Sequence, residues 1–246
     1  MTASKKQALM KRIFAGSLIF YAFSGISSLL NYIFYPILAR FVSVAEYGEI
    51  QFLVSMFTQL AVGFVVLNIL AIVISGEIKS NQDQRLAIKS LNKVASIFVL
   101  CIVIIGSLIL YGNQQALGFQ DSTAIIALGV SLVISVPFTI EIGRLQGNNK
   151  FAASGLVSVI AALSKLIFSL IFVLLGFGVT GAIAGIGVGM IVTLCLLRIF
   201  DKQTSHPPNP VVSRKRSFAQ LGFIKKRAII AMVAISTVTF LSSADS

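Results

Sequence analysis

The sequence predicts an all-α, polytopic transmembrane helix bundle of six complete spanning helices with the start of a seventh. Three observations predict it. Of 246 residues, 57% are hydrophobic and 11% charged, against roughly a quarter charged in ordinary soluble domains, so the chain has too little polar surface to cover itself in water. Several apolar runs reach the roughly 17 to 25 residues that a helix needs to cross a hydrocarbon core about 30 Å thick. The charges fall between those runs rather than over one face, so the net charge of +12 marks loops and not a nucleic-acid footprint.

Residues 1–12 form a basic tail with Lys5, Lys6, Lys11 and Arg12. The apolar stretch that follows, 13–38, is too long for the core of a signal peptide, and no small-x-small cleavage site intervenes before Arg40, so it is expected to be a retained first helix. The remaining spans are expected at 50–75, 94–111, 123–140, 151–175 and 179–197. All are continuously apolar and lack the alternation of barrel strands, and in lipid only helices and closed barrels satisfy every backbone group. Residues 13–197 thus form one six-helix membrane domain.

Orientation follows from the cations, because cytoplasmic loops carry the Lys and Arg excess. The tail cations, Lys79, Arg85, Lys89 and Lys93, then Arg144 and Lys150, and then the cations of 198–227 all fall on one side of an alternating chain. The opposite side holds Arg40 alone, and Lys165 lies inside a helix. The amino terminus is therefore expected in the cytoplasm.

The segment 198–227 contains Arg214-Lys215-Arg216, Lys225-Lys226-Arg227 and the single histidine, His206. It reads as a basic cytoplasmic linker, a topological anchor attracted to anionic membrane lipids by about 1 kcal/mol per cation; recruitment of a partner is the alternative. An apolar stretch opens at Ala228 and turns polar at Ser242. At 1.5 Å per residue its 228–241 core gives only about 21 Å of helix. Residues 228–246 are accordingly expected to be a truncated seventh helix.

Inside the membrane, Ser17, Tyr21, Ser24, Ser28, Asn31 and Tyr35 recur every three or four residues along the first helix and share one stripe. Such a stripe lines a water-filled cavity or makes interhelical hydrogen bonds. Lys165 sits too deep in the fifth span to reach the interface easily, and an intramembrane charge marks a functional site by default. Ser154, Ser158, Ala162 and Ser169 place it on the small, polar face of its helix, which should point inward. There it would hold an anionic head group, or else be neutralised by burial or paired with a carbonyl. Gly181, Gly185 and Gly189 form a small-xxx-small ridge for close packing. Pro36 and Pro137 are candidate bends, Gln59 and Asn68 isolated polar groups, and Cys101 and Cys195 small buried hydrophobes.

No catalytic set is legible. The acidic residues form no paired-carboxylate motif, His206 stands alone, and neither metal-type His/Cys spacing nor a phosphate-cradling GKS or GKT loop is present. No enzyme, metal or cofactor is expected.

The stretch 31–51, NYIFYPILARFVSVAEYGEIQ, carries an aromatic-rich helix end followed by Leu38, Arg40, Val42, Ser43 and then Glu46-Tyr47-Gly48. With Arg144-Leu145-Gln146-Gly147 through Lys150-Phe151, and GFGVTGAIAG at 176–185, it resembles bacterial polysaccharide flippases of the lipid-linked oligosaccharide, O-antigen type. These belong to the multidrug, oligosaccharidyl-lipid and polysaccharide exporter superfamily. Val44-Ala45 replaces the proline that commonly precedes Glu-Tyr-Gly in that family. The resemblance implies two rocking lobes, of which this chain supplies the N-terminal one, apparently truncated.

It also implies flipping of a polyprenyl-pyrophosphate-linked oligosaccharide across the cytoplasmic (inner) membrane for polysaccharide biosynthesis, possible alone or only with a second chain supplying the other lobe or with other polysaccharide-assembly proteins. Lys165, Asn31, Tyr35 and Ser28 would then contact substrate, with Arg144 at the cytoplasmic mouth and Arg40 at the outer one. Two alternatives stand beside it. A drug or cation antiporter of the same superfamily would more naturally carry a buried carboxylate, which the six spans lack near mid-membrane. A membrane-embedded polysaccharide-assembly enzyme would need large outer loops or His/Asp/Arg sets.

Overall fold

The computed structural model describes residues 3–78, 80–113 and 123–204, and within these every element is helical. In chain order they are α1 (Ala3–Leu38), α2 (Val44–Val62), α3 (Phe64–Glu77), α4 (Asn81–Gly112), α5 (Thr123–Gly147), α6 (Phe151–Phe172), a π-helical turn (Val173–Phe177) and α7 (Gly178–Thr204). The basic segment after Thr204 and the expected seventh helix lie outside the described residues.

Five continuous helical stretches are long and apolar enough to cross a membrane: Leu18–Leu38, Val44–Glu77, Asn81–Gly112, Thr123–Gly147 and Phe151–Ile199. Six separate spans were expected, and the difference lies at the last join. The 49 residues of Phe151–Ile199 would make a rod of about 73 Å, far longer than a bilayer is thick. They instead double back. Gly176 has φ +87° and Gly178 φ +47°, left-handed conformations that L side chains resist, and at this kink the chain reverses between two helical arms.

The arms pack antiparallel. The Ser169 hydroxyl donates to the Ala182 carbonyl at 2.8 Å, and a Cβ placed on Gly181, Gly185 or Gly189 would collide with Phe172, the Ser169 backbone or the Lys165 backbone respectively. The glycine ridge thus lets α7 lie directly on α6.

Other registers fix the bundle. Helices α1 and α6 run parallel, joined where the Ser27 hydroxyl donates to the Ser158 carbonyl at 3.1 Å and where Gly155 admits Phe23. Helices α3 and α5 also run parallel: Gly143 leaves room for the Asn68 backbone and Gly147 for that of Ile72, while Asn68 donates to the Thr139 carbonyl at 3.2 Å. The core between them is apolar and includes Phe34, Leu38, Leu53, Leu132, Val136 and Ile183.

Several helix ends differ from expectation. Helix α4 starts at Asn81 rather than 94, because Ser80 accepts the Asp83 backbone N–H as an N-cap, and Arg85, Lys89 and Lys93 ride on a helix rather than in a loop. Helix α5 continues past 140 to Gly147, carrying Arg144 with it. Helix α1 begins at Ala3, ten residues before 13, within the basic tail. At the opposite end, Ser43 caps α2 through a reciprocal box in which the Ser43 backbone N–H donates to Glu46 Oε2 at 2.8 Å. Cys101 and Cys195 are exposed rather than buried; a small apolar side chain facing lipid costs nothing, so apolar character does not distinguish the two positions in a bilayer.

Candidate functional site

The ammonium of Lys165 is the chemical centre of the described membrane region. Its backbone is held by the approach of Gly189 on α7, and its side chain crosses from α6 to α1. There Nζ donates to Asn31 Oδ1 at 2.6 Å. The Asn31 amide nitrogen donates to the Ser27 carbonyl one turn earlier at 2.9 Å, which aims the oxygen at the lysine. The Phe34 ring lies under the ammonium, centroid 4.2 Å away, and the Tyr35 ring is 6.0 Å away. An aromatic face attracts a desolvated cation by about 2 kcal/mol. These contacts, one acceptor and two rings, replace part of the lost hydration without cancelling the charge.

The cation borders a pocket of about 250 Å³ lined by Ser27, Asn31, Phe138, Ser158, Ala161, Ala162, Lys165, Ile186 and Met190. Four helices, α1, α5, α6 and α7, contribute to it. No Asp or Glu is in the lining, so its electrostatic character is positive. Ser27 and Ser158 spend their hydroxyl protons on backbone carbonyls, leaving oxygen lone pairs and apolar surface toward the space. A larger space of about 500 Å³ between α4 and α5 is lined almost wholly by aliphatic side chains such as Leu100, Val103, Ile126 and Val130 and offers no charged group.

The structure brings together Lys165, Asn31 and, at its margin, Tyr35. It does not bring the other expected residues to them. Ser28 is exposed and outside the lining, with Tyr21, on the expected stripe, 71% exposed; the adjacent Ser27 takes the place expected of Ser28. Arg40 is exposed just beyond the end of α1. Arg144 is half-buried at the opposite end of the bundle, where Nε and Nη2 donate to Glu141 Oε1 at 2.9 and 2.5 Å, so part of its charge is already met. Sequence reasoning missed Phe34, Phe138 and Ser27. The last third of α1 held a signal for two of them, because Ser27 and Phe34 stand four residues before and three after Asn31. Among the described residues no group of His, Cys, Asp or Glu suits a metal ion.

No protein-family model matches the chain, and no curated protein does. Solved structures do match its fold. One is a multidrug resistance MATE family transporter of the MOP superfamily in an outward-facing conformation, 17% identical with TM-score 0.65 over 93% of this chain and 54% of that one. Another is a MOP superfamily transporter from Pyrococcus furiosus, described as having a binding pocket of reverse polarity that suggests a different function, at 19% identity and TM-score 0.60 over 93% and 53% of the two chains. The Vibrio cholerae MATE transporter VcmN in its bent form is 14% identical, with TM-score 0.62 over 98% of this chain and 57% of that one. The chain therefore has the fold of part of a MOP-type transporter and spans about half the length of the structures it matches. These neighbours are transporters rather than enzymes. They agree with the superfamily that the sequence motifs resemble and do not single out the polysaccharide flippases.

Proposed function

We propose that this chain forms one lobe of a membrane transporter whose pocket receives the anionic group of an amphiphilic substrate. The observation that carries the reading is the uncompensated Lys165 ammonium, held by Asn31 at 2.6 Å in a pocket lined by no carboxylate. An anion entering there exchanges hydration for a fixed cation, a preformed amide and serine oxygens able to bind its water shell or a sugar hydroxyl. In low dielectric such a charge-assisted contact is about twice as strong as a neutral hydrogen bond. A pyrophosphate joined to sugar and to a polyprenyl chain suits these features, with the chain left in the surrounding lipid. The substrate class we favour is thus a lipid-linked oligosaccharide, flipped between leaflets. A second lobe, from the same or another chain, would close the exposed face of α1 and complete the path.

The second reading is a drug or cation antiporter, and the likeness in fold to a multidrug resistance MATE transporter favours it. Against it, a cationic drug would meet like charge at Lys165. The two readings separate in one binding experiment on the transporter assembled with its second lobe, using a pyrophosphate-headed polyprenyl lipid and a cationic dye as competing ligands. Lys165→Ala should weaken lipid binding by at least about 10-fold in the first case. Dye binding that is unaffected or strengthened by Lys165→Ala, with no lipid binding in the parent protein, would establish the antiporter reading instead.

A further inference from the structure

Helices α4 and α5 leave between them an apolar groove of about 500 Å³, separate from the pocket at Lys165. Its floor is set by a close approach: Gly129 on α5 faces Val103 and Ser107 on α4, and a Cβ there would meet Val103 Cγ1 at 2.7 Å. The walls diverge from this seam. Leu100, Ile104 and Leu108 rise from α4 at four-residue steps, and Ile126 and Val130 from α5, all of them exposed. We propose that the groove binds one acyl chain of a phospholipid from the leaflet at the Tyr111 end of the bundle, independent of the transport reading above.

Its dimensions select the occupant. The lining runs from Leu100 to Tyr111 on α4 and from Ile125 to Ile134 on α5, about 17 and 14 Å of helix. One leaflet of a hydrocarbon core about 30 Å thick is about 15 Å deep, so the groove has the length of one chain lying in one leaflet. Its volume over that length gives a mean cross-section of roughly 30 Å², room for a single extended hydrocarbon chain. A helix about 10 Å across fills about 80 Å², so a partner helix would rest on the walls without reaching the floor.

Position and chemistry agree with this. From Val94 to Tyr111 α4 has no charged residue, and the groove occupies the part of that run farthest from the basic end. Tyr111 is exposed at its mouth, and tyrosine is enriched at headgroup level. The chain thus enters beside Tyr111 and descends toward the midplane near Leu100. Between those points the lining is aliphatic or glycine except for Ser107, so it recognises the chain and not the headgroup. Burial from water gives no advantage within lipid; what holds the chain is dispersion contact with a fixed floor and two fixed walls. Helix α1 packs on α6, α6 on α7, α7 on α5 and α5 on α4. The groove therefore lies at the far end of that row from the α1 face that a second lobe would close.

The chain contains no tryptophan, so a single introduced one reports on its own surroundings. The complete chain is reconstituted in nanodiscs of phosphatidylcholine brominated in its acyl chains, then transferred to unbrominated detergent, which strips loosely held lipid. Leu108→Trp puts the probe on the groove wall, and Ile109→Trp puts it one residue away at nearly the same depth, exposed but outside the lining. Quenching by bromine should persist after transfer for Leu108→Trp and disappear for Ile109→Trp. Adding Val130→Phe to the first variant narrows the groove and should abolish the persistent quenching. Recovery of fluorescence in both single variants, persistence in both, or no effect of Val130→Phe would overturn the proposal. Native mass spectrometry of the unaltered protein should find one phosphatidylcholine retained per chain; none retained, the result if detergent or another segment of the chain fills the groove, would overturn it as well.

Discussion

Lys165 on α6 donates to Asn31 on α1 across 2.6 Å, and this contact ties the two parallel helices at the level of the pocket. Its consequence is that an intramembrane ammonium is oriented without being neutralised. Replacing Lys165 with Met keeps the stem and removes the charge. Loss of a charge-assisted hydrogen bond of about 1.5 to 3 kcal/mol should weaken binding of a pyrophosphate-headed lipid about 10- to 100-fold. Asn31→Asp should weaken it as well, because a carboxylate at the same distance would compete for the cation. Isothermal titration of both variants against the parent checks the pair; tighter anion binding by Asn31→Asp would contradict the proposed role.

Gly185 should tolerate no side chain. A Cβ there overlaps the backbone nitrogen of Ser169, a group that cannot swing aside, so Gly185→Ala forces α6 and α7 apart. Overpacking of this kind costs about 1 to 3 kcal/mol, and the detergent-solubilised protein should melt at lower temperature. Gly106 on α4 is the comparison, since no atom lies within 4 Å of its Cβ position. Gly106→Ala should be neutral or raise the melting temperature, by about 0.4 to 1 kcal/mol of stability.

The turn that reverses the last helical stretch depends on Gly176 at φ +87°. Gly176→Ala places a Cβ in the left-handed region at a cost of about 1 to 2 kcal/mol, although the surrounding space is open. Gly176→Asn should cost less, because asparagine visits that region more readily. Thermal unfolding of the two variants should rank them in that order; equal stabilities would show that strain at Gly176 does not limit the turn.

A buried polar junction at the basic end should be as sensitive as the pocket. Gln84 Nε2 donates to the Ser75 carbonyl at 2.9 Å and to Asn148 Oδ1 at 3.0 Å, while Asn148 donates to the Arg144 carbonyl at 2.9 Å. One side chain thus joins the ends of α3, α4 and α5. Gln84→Leu leaves two acceptors without this donor and should destabilise by about 1 to 3 kcal/mol. Hydrogen exchange should quicken at 75–84 and 144–148 in this variant, and unchanged protection there would count against the junction.

Much of this architecture was legible in the amino-acid order because a bilayer restricts what a chain can do. Charges cannot sit in hydrocarbon without cost, so the cations mark the ends of spans and the apolar runs mark the helices between them. Helix ends were less legible. The extra turns of α4 and α5 are amphipathic and lie beyond the apolar runs, where the Ser80 cap and packing of Gln84, Ala87 and Leu145, rather than hydropathy, decide how far the helix continues. The apolar pattern likewise separated the last two spans, and the kink at Gly176, with its non-helical φ of +87°, is where the chain turns between them.

The sequence by itself determined that the chain is an all-helical membrane protein, that Lys165 stands on a small, polar helix face, and that the glycines of α7 form a ridge. Tertiary structure decided what those features meet. Around Asn31, Ser28 and Tyr35 lie to one side of α1 and Ser27 and Phe34 to the other, each within roughly 60°, and helical period alone treats the two sides alike. Helix α6 packs on the second side, so Ser27 and Phe34 approach the lysine while Ser28 faces outward. Arg40 and Arg144 carry the same kind of charge, but helix direction sends them to opposite ends of the bundle. Periodicity assigns a residue to a face; only the neighbouring helix, through shape and hydrogen bonding, determines whether that face becomes a pocket wall, a packing seam or a surface toward lipid.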